Sequence, residues 1–153
     1  MQKLLALLIT VAGSFQIRAD ALAQRMPGLL NRIAMVESSG NPHAVGDGGR
    51  ARGLYQFHAR TWQHVTQLRR AQGQPCWPYS AAVRPEVAGA YARTYVRWIA
   101  AQLQQKVGHV TDRMIYGAWN AGCARFLRGD LPALTRRRML RFEGDTYYLQ
   151  VSP

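Results

Sequence analysis

The chain has 153 residues, of which 48% are hydrophobic, and this composition excludes wholesale disorder and predicts one globular domain with an ordinary core. Its formal net charge of +12 predicts attraction to polyanions such as nucleic acid, acidic lipid or an anionic cell-wall polymer, without choosing among them. The cysteines and histidines show no ligand spacing, so we expect no metal site and no cofactor, with the histidines in loops or on the surface.

The N-terminus has the layout of a secretory signal peptide. Lys3 precedes a mostly apolar run over residues 4–13, and Ala21-Leu22-Ala23 offers small residues at a cleavage position. The run is too short to span a bilayer. We therefore predict a signal peptide over residues 1–23 and a mature domain over residues 24–153, periplasmic or secreted, with no stable membrane anchor after cleavage. The alternative is an ordinary N-terminal helix, because the segment before the cut is long and carries two charges.

Apolar residues at spacings of three and four predict three helices in the first two thirds of the chain. The first starts around Met26, because Pro27 suits a first turn, and it stops at residues 38–42, where Gly, Asn and Pro favour termination. The second covers residues 60–70. The third is the clearest, running from a proline in its first turn to a glycine at its end over residues 85–108.

A fourth helix is predicted after Thr111, whose side chain can cap an apolar stretch that continues to Ala118. Between the first two helices, four glycines fall within residues 46–53, which predicts a loop that bends tightly. No convincing run of strands, internal repeat or interdomain linker occurs. The fold class is therefore predicted to be mainly α.

The two cysteines, Cys76 and Cys123, suit an oxidising compartment, where they can pair. Closing a loop of that length would stabilise the fold by roughly 4 kcal/mol in the chain-entropy description. We favour a disulfide over the alternative of two buried free thiols.

One acid lies where a carboxyl group is normally avoided. Glu37 follows Ile33 by four residues and Leu30 by seven, which places it on or beside the apolar stripe of the first helix. An acid in such a place is either paired with a cation or chemically active. Its position, at the end of a buried helix and facing the glycine-rich loop, makes it the centre of a candidate active site.

Three short motifs follow one another along the chain: Glu37-Ser38, then Gly53-Leu54-Tyr55-Gln56, then Ala118-Trp119-Asn120-Ala121-Gly122. In this order they resemble the motifs of the lytic transglycosylases, a family of the lysozyme-like superfamily. The resemblance covers roughly residues 28–151. Tyr55 departs from the usual Met and Trp119 from the usual Tyr, and both keep a large apolar group. The resemblance implies a lysozyme-like helical domain with the glycine-rich loop flanking a substrate groove.

The resemblance also implies the site residues. Glu37 would be the catalytic residue, and the residues expected to bind the sugar strand are Ser38, Tyr55, Gln56, Trp119, Asn120 and Tyr147. A glutamine amide suits an N-acetyl sugar, and aromatic rings offer faces on which sugars stack. Each binding residue has a structural alternative: a helix end for the serine, turns for the two amides and core packing for the rings.

The implied reaction cleaves the MurNAc-β-1,4-GlcNAc bond of peptidoglycan and forms 1,6-anhydro-MurNAc, with Glu37 acting as acid and then as base. Burial of a carboxyl group raises its pKa and keeps it protonated near neutral pH, as a proton donor to a glycosidic oxygen must be. A hydrolase usually needs a second carboxylate, and Asp47 is the only acid close in sequence. The scarcity of acids favours the lytic route, with a muramidase hydrolysing the same bond as the alternative.

An alternative of another class is a basic non-catalytic module that binds wall or nucleic acid. Its support is the net charge and the arginine cluster formed by Arg136, Arg137, Arg138 and Arg141. We instead predict that this cluster is a solvated face, because the export signal and the lack of a nucleic-acid-binding motif argue against nucleic acid. The predicted partner is the peptidoglycan glycan strand. The small size also suits a partnership with an envelope-spanning secretion machine.

Overall fold

The protein is described by a computed structural model that covers the backbone of residues 2–150 and the side chains of residues 20–144. Helices dominate this part of the chain, which confirms the predicted fold class. The α-helices are α1 (Gln2–Ser38), α2 (Ala59–Ala71), α3 (Pro85–Val107), α4 (Asp112–Ala121), α5 (Cys123–Leu127) and α6 (Ala133–Gln150). Short 3-10 helices occupy Asp47–Gly49 and Tyr79–Val83. No helix within the described residues has the length and apolar character needed to cross a membrane.

A small antiparallel sheet lies between α1 and α2, where the sequence predicts only a loop. Its strands are β1 (Val45–Gly46), β2 (Ala51–Arg52) and β3 (Phe57–His58), in the order β1-β2-β3. The register pairs Gly46 with Ala51 and Ala51 with His58. Strands of two residues are too short to show an alternating pattern, so periodicity could not reveal them. The sheet ties both ends of the glycine-rich segment together beside the end of α1.

Helix α1 begins long before the predicted start at Met26 and continues through Pro27 to Ser38. A proline inside a helix removes one backbone hydrogen bond, because it has no N–H. The preceding residues include many Leu and Ala, which favour helix strongly enough to offset that loss. The predicted signal peptide, residues 1–23, falls almost wholly on residues whose side chains are not described, and it stays a prediction.

The other three predicted helices are confirmed, and so are their end signals. Pro85 lies in the first turn of α3, and Gly108 follows its last residue with a φ of +75°. The hydroxyl of Thr111 accepts a hydrogen bond from the backbone N–H of Met114 and so caps α4. Local capping chemistry therefore determined where these helices begin and end.

Aromatic rings fill much of the core between the helices. Trp62 of α2 stacks on Tyr91 of α3 with ring centroids 3.7 Å apart, and Tyr116 of α4 stacks on Phe142 of α6 at 4.7 Å. These two stacks pack α2 against α3 and α4 against α6. Arg69 is also buried; its guanidinium donates to the backbone carbonyls of Pro75 and Ala90, among other groups.

The predicted disulfide is wrong, because Cys76 and Cys123 are both free thiols. The Cys76 thiol lies 3.6 Å from the carbonyl oxygen of Thr66 on α2 and donates towards it. Cys123 begins α5, where burial raises the pKa of its thiol to about 11. Spacing along the chain could not decide this pairing, because a disulfide depends on the separation of two Cα atoms in space.

Candidate active site

A cleft of about 680 Å³ lies between the end of α1, the small sheet, α4 and α6. Five of the predicted site residues line it: Glu37, Tyr55, Gln56, Trp119 and Asn120. The structure therefore brings together three motifs that lie far apart in the sequence. Tyr147 lies outside the residues whose side chains are described, and its role stays a prediction.

Glu37 is held at the cleft by three donors. Its Oε1 accepts hydrogen bonds from the Tyr116 hydroxyl at 2.9 Å and from Asn120 Nδ2 at 3.2 Å. Its Oε2 forms an ion pair with Arg138 Nη1 at 3.1 Å. The Glu37 side chain is 4% exposed. Such a carboxyl group has a fixed position and little contact with bulk water.

The pKa of Glu37 is raised above its ordinary value, and burial is the largest cause. The positive charge of Arg138 lowers the pKa, as do the hydrogen bonds from Tyr116 and Asn120, but these effects do not cancel the burial. The negative charge of Asp47 adds a small further rise. Glu37 therefore keeps its proton to a higher pH than an exposed glutamate does.

Helix geometry explains how the donors reach the acid. Tyr116 and Asn120 are four residues apart on α4, so their side chains lie on one face. Asn120 is oriented in turn by Thr135 of α6, whose hydroxyl donates to Asn120 Oδ1 at 2.7 Å. Arg138 lies one turn further along α6. The acid, its amide donor and its cation thus form one connected network across α1, α4 and α6.

Sequence reasoning missed three members of this network: Tyr116, Thr135 and Arg138. Tyr116 had a usable signal, since it precedes the motif residue Asn120 by four positions on a predicted helix. Arg138 had none, because it belongs to the cluster predicted to be a solvated face. That prediction is confirmed for Arg136, Arg137 and Arg141, which are exposed, and is wrong for Arg138, which is half-buried against Glu37.

The second motif forms the turn between β2 and β3. The Ser38 hydroxyl donates to the carbonyl oxygen of Leu54 at 2.8 Å and so ties the end of α1 to this turn. Gln56 has a φ of +47°, and its Nε2 donates to the carbonyl oxygens of Ala44 and Gly53. Gln56 lines the cleft, whereas Ser38 is not among the lining residues. For both residues, binding of sugar stays a prediction.

Aromatic rings form one wall of the cleft around Trp119. The Trp119 ring centroid lies 5.1 Å from that of Tyr95, 5.2 Å from that of Phe57 and 6.2 Å from that of Tyr55. Trp119 is only partly buried, whereas Tyr55 is 8% exposed and packs with the core. Of the two predicted stacking rings, Trp119 has more surface to offer a ligand.

A second acid, Asp47, also lines the cleft, together with His58. Asp47 Oδ2 lies 2.7 Å from His58 Nε2. The glycine-rich segment therefore carries its only acid into the cleft of Glu37, an outcome that the sequence left open. His58 was expected on a loop or on the surface, and it lies on β3 at the cleft with its side chain 43% exposed. In the described part of the chain, no group of three or more His, Cys, Asp or Glu side chains is placed to hold a metal ion.

Comparison with known proteins identifies one family. The family model of the transglycosylase SLT domain matches residues 15–129. The matched residues include Glu37 and Asn120, and they end before α6, which supplies Thr135 and Arg138. No curated protein and no solved structure matches the chain.

Proposed function

The chain belongs to the transglycosylase SLT domain family, and from that premise we propose that it is a lytic transglycosylase of peptidoglycan, with Glu37 as catalytic residue. The bond cleaved is MurNAc-β-1,4-GlcNAc and the product carries a 1,6-anhydro-MurNAc end. The observation that carries the proposal is the Glu37 carboxyl group, 4% exposed at a cleft and provided with three donors. Family membership indicates a peptidoglycan-cleaving enzyme, and the residue roles are our inference from this geometry.

In the first step, protonated Glu37 gives its proton to the glycosidic oxygen while the bond from that oxygen to C1 of MurNAc breaks. The carboxylate that remains is stabilised by the donors from Tyr116, Asn120 and Arg138. In the second step, the carboxylate takes the proton of the muramyl 6-hydroxyl as its oxygen bonds to C1. The ring closes, Glu37 regains its proton, and no water is consumed.

Arg138 lowers the pKa of Glu37 and burial raises it, and the two-step reaction needs both effects. Burial favours the neutral form that donates a proton, whereas the guanidinium favours the carboxylate that accepts one. A group that serves as acid and then as base works best when its pKa is near the working pH. We infer that Arg138 keeps the raised pKa of Glu37 from rising so far that the second step fails.

Replacing Arg138 by Met is expected to move the alkaline limit of activity to higher pH. Cleavage requires protonated Glu37, so activity is present below the pKa of Glu37 and is lost as the pH rises through it. Removing the positive charge raises that pKa further, because Arg138 lowers it in the native protein. The measurement is the rate of wall cleavage as a function of pH at constant ionic strength.

Arg137→Met is the matched control for this experiment. Arg137 is the preceding residue on α6 and is exposed, whereas the ion pair with Glu37 is made by Arg138. Replacing Arg137 removes the same charge from the protein. The alkaline limit should stay in place in this variant. An equal displacement in both variants would trace the effect to net charge and would contradict a specific role for Arg138.

The reaction class is tested by the sugar ends that the purified protein produces from purified peptidoglycan. A lytic transglycosylase leaves 1,6-anhydro ends, which are lighter by one water than the reducing ends left by a muramidase, so mass spectrometry separates them. We expect anhydro ends to accumulate above the level of undigested wall. Exclusive formation of reducing ends would instead establish the muramidase, and binding of wall without cleavage would establish a non-catalytic module.

We further propose that the enzyme acts outside the cytoplasm, where its substrate lies, after removal of residues 1–23. The apolar run behind Lys3 supports this proposal. N-terminal sequencing of exported protein would locate the cut, and a mature chain that still begins at Met1 would contradict the prediction. A partnership with a secretion machine rests on the small size alone.

A further inference from the structure

Asp47 and His58 form an acid–base pair that the lytic reaction described above does not use. Both side chains line the cleft of Glu37, and both are about half exposed, so water can reach them. His58 Nε2 lies 2.7 Å from Asp47 Oδ2. The charge of Asp47 contributes to the raised pKa of Glu37, so the two carboxyl groups interact electrostatically.

The backbone around Asp47 is shaped to present this carboxylate. Asp47 has a φ of +50°, a left-handed conformation that aspartate adopts more readily than most other non-glycine residues. A Cβ at the neighbouring Gly46 would lie 2.2 Å from Gln56 Oε1, so a side chain there would displace the end of the Gln56 side chain. The side chain of Arg50 donates to the backbone carbonyl of Asp47 at 2.9 Å.

The hydrogen bond to Asp47 determines which nitrogen of His58 can act as a base. A carboxylate accepts the proton on Nε2, which leaves the unshared electron pair of the neutral imidazole on Nδ1. Within the described side chains, none forms a hydrogen bond with that Nδ1. An imidazole oriented by a carboxylate, with its second nitrogen available, is the arrangement of a general base.

We propose that His58, positioned by Asp47, activates a water molecule in the cleft and gives the enzyme a second, hydrolytic product. This inference rests on the proposed function, because it uses the same first step. Glu37 protonates the glycosidic oxygen as the bond to C1 breaks, a water oxygen then bonds to C1, and His58 Nδ1 takes one proton from that water. The product ends in a reducing MurNAc. His58 afterwards loses its proton to solvent, and Glu37 regains one from solvent.

The test is the ratio of reducing ends to anhydro ends that the full-length protein releases from purified peptidoglycan, corrected for undigested wall. We expect both products from the native protein. In His58→Ala, reducing ends should fall roughly 10²-fold or more, as is typical when a general base is lost, while anhydro ends change by less than about twofold. Asp47→Asn should lower reducing ends in the same direction, because an amide no longer holds the same tautomer of His58.

His43→Ala is the matched control, since His43 is exposed and does not line the cleft. Its product ratio should equal that of the native protein. Thermal denaturation shows whether each variant folds. If His58→Ala does not fold, the product ratio of Asp47→Asn, which keeps the size of the side chain, tests the inference.

Three outcomes would overturn the inference: no reducing ends from the native protein, an unchanged ratio in both cleft variants, or an equal fall of both products. Failure of the proposed lytic function would give different results from failure of the His58 inference. Native protein that makes reducing ends alone would refute the lytic route, and their loss in His58→Ala would still support the pair. Absence of any cleavage would refute both.

Discussion

Replacing Glu37 by Gln is expected to lower the rate of peptidoglycan cleavage by roughly 10²–10⁴-fold, the contribution typical of general acid catalysis. Glutamine has nearly the same shape and can still accept a hydrogen bond from the Tyr116 hydroxyl, but its amide has no acidic proton to transfer to the glycosidic oxygen at neutral pH. The fold and the binding of wall should therefore persist. Release of soluble muropeptides measures the rate, and sedimentation with insoluble wall measures binding.

Glu86→Gln is the control for this loss. Glu86 lies in the first turn of α3, is exposed and pairs with Arg84, so this variant makes the same glutamate-to-glutamine replacement away from the cleft. Its activity should match that of the native protein. If Glu37→Gln kept most of its activity, Glu37 could not be the acid, and the enzyme would need a different proton donor.

Replacing Gly53 by Ala is expected to destabilise the protein by about 3 kcal/mol. Gly53 has a φ of +78°, and a Cβ at this position would lie 2.0 Å from the backbone carbonyl oxygen of Ala82. The left-handed conformation costs an alanine about 1 kcal/mol, and relief of the clash requires a backbone shift worth about 1–3 kcal/mol more. For a domain of this size the melting temperature should fall by roughly 10 °C.

Gly48→Ala separates the two causes. Gly48 also has a positive φ, +63°, but no atom lies within 4 Å of the position that its Cβ would take. This variant should lose only about 1 kcal/mol. Equal melting temperatures for the two variants would show that Gly53 is required for backbone conformation alone and not for close packing against Ala82. Thermal denaturation followed by circular dichroism measures both.

The features that the sequence predicted well are those that depend on neighbours along the chain. A proline in the first turn and a glycine after the last residue marked the two ends of α3. Apolar spacing placed Glu37 beside the buried stripe of α1, and the structure shows its side chain 4% exposed. These inferences hold because helical periodicity and capping act within a few residues.

The features that the sequence analysis missed depend on competing local preferences or on contacts between residues that lie far apart in the chain. Local rules started α1 at Met26, whereas strong helix formers before Pro27 extend the helix to Gln2. The cysteine count suited a disulfide, yet Cys76 and Cys123 are free. The small sheet escaped detection because its strands are two residues long. In each of these three cases, the local sequence pattern lacked the information that decides the structure.

Local sequence patterns were enough to predict a helical protein, a buried acid at Glu37 and three motifs that resemble those of one enzyme family. The groups that surround that acid depend on tertiary packing. Its partners Tyr116 and Arg138 lie 79 and 101 residues away along the chain. The arginines at 136, 137 and 138 are chemically identical, and what distinguishes them is the face of α6 on which each lies. The packing of α6 against α1 and α4 brings Arg138 to Glu37, and such long-range packing leaves no mark in the spacing of a single segment.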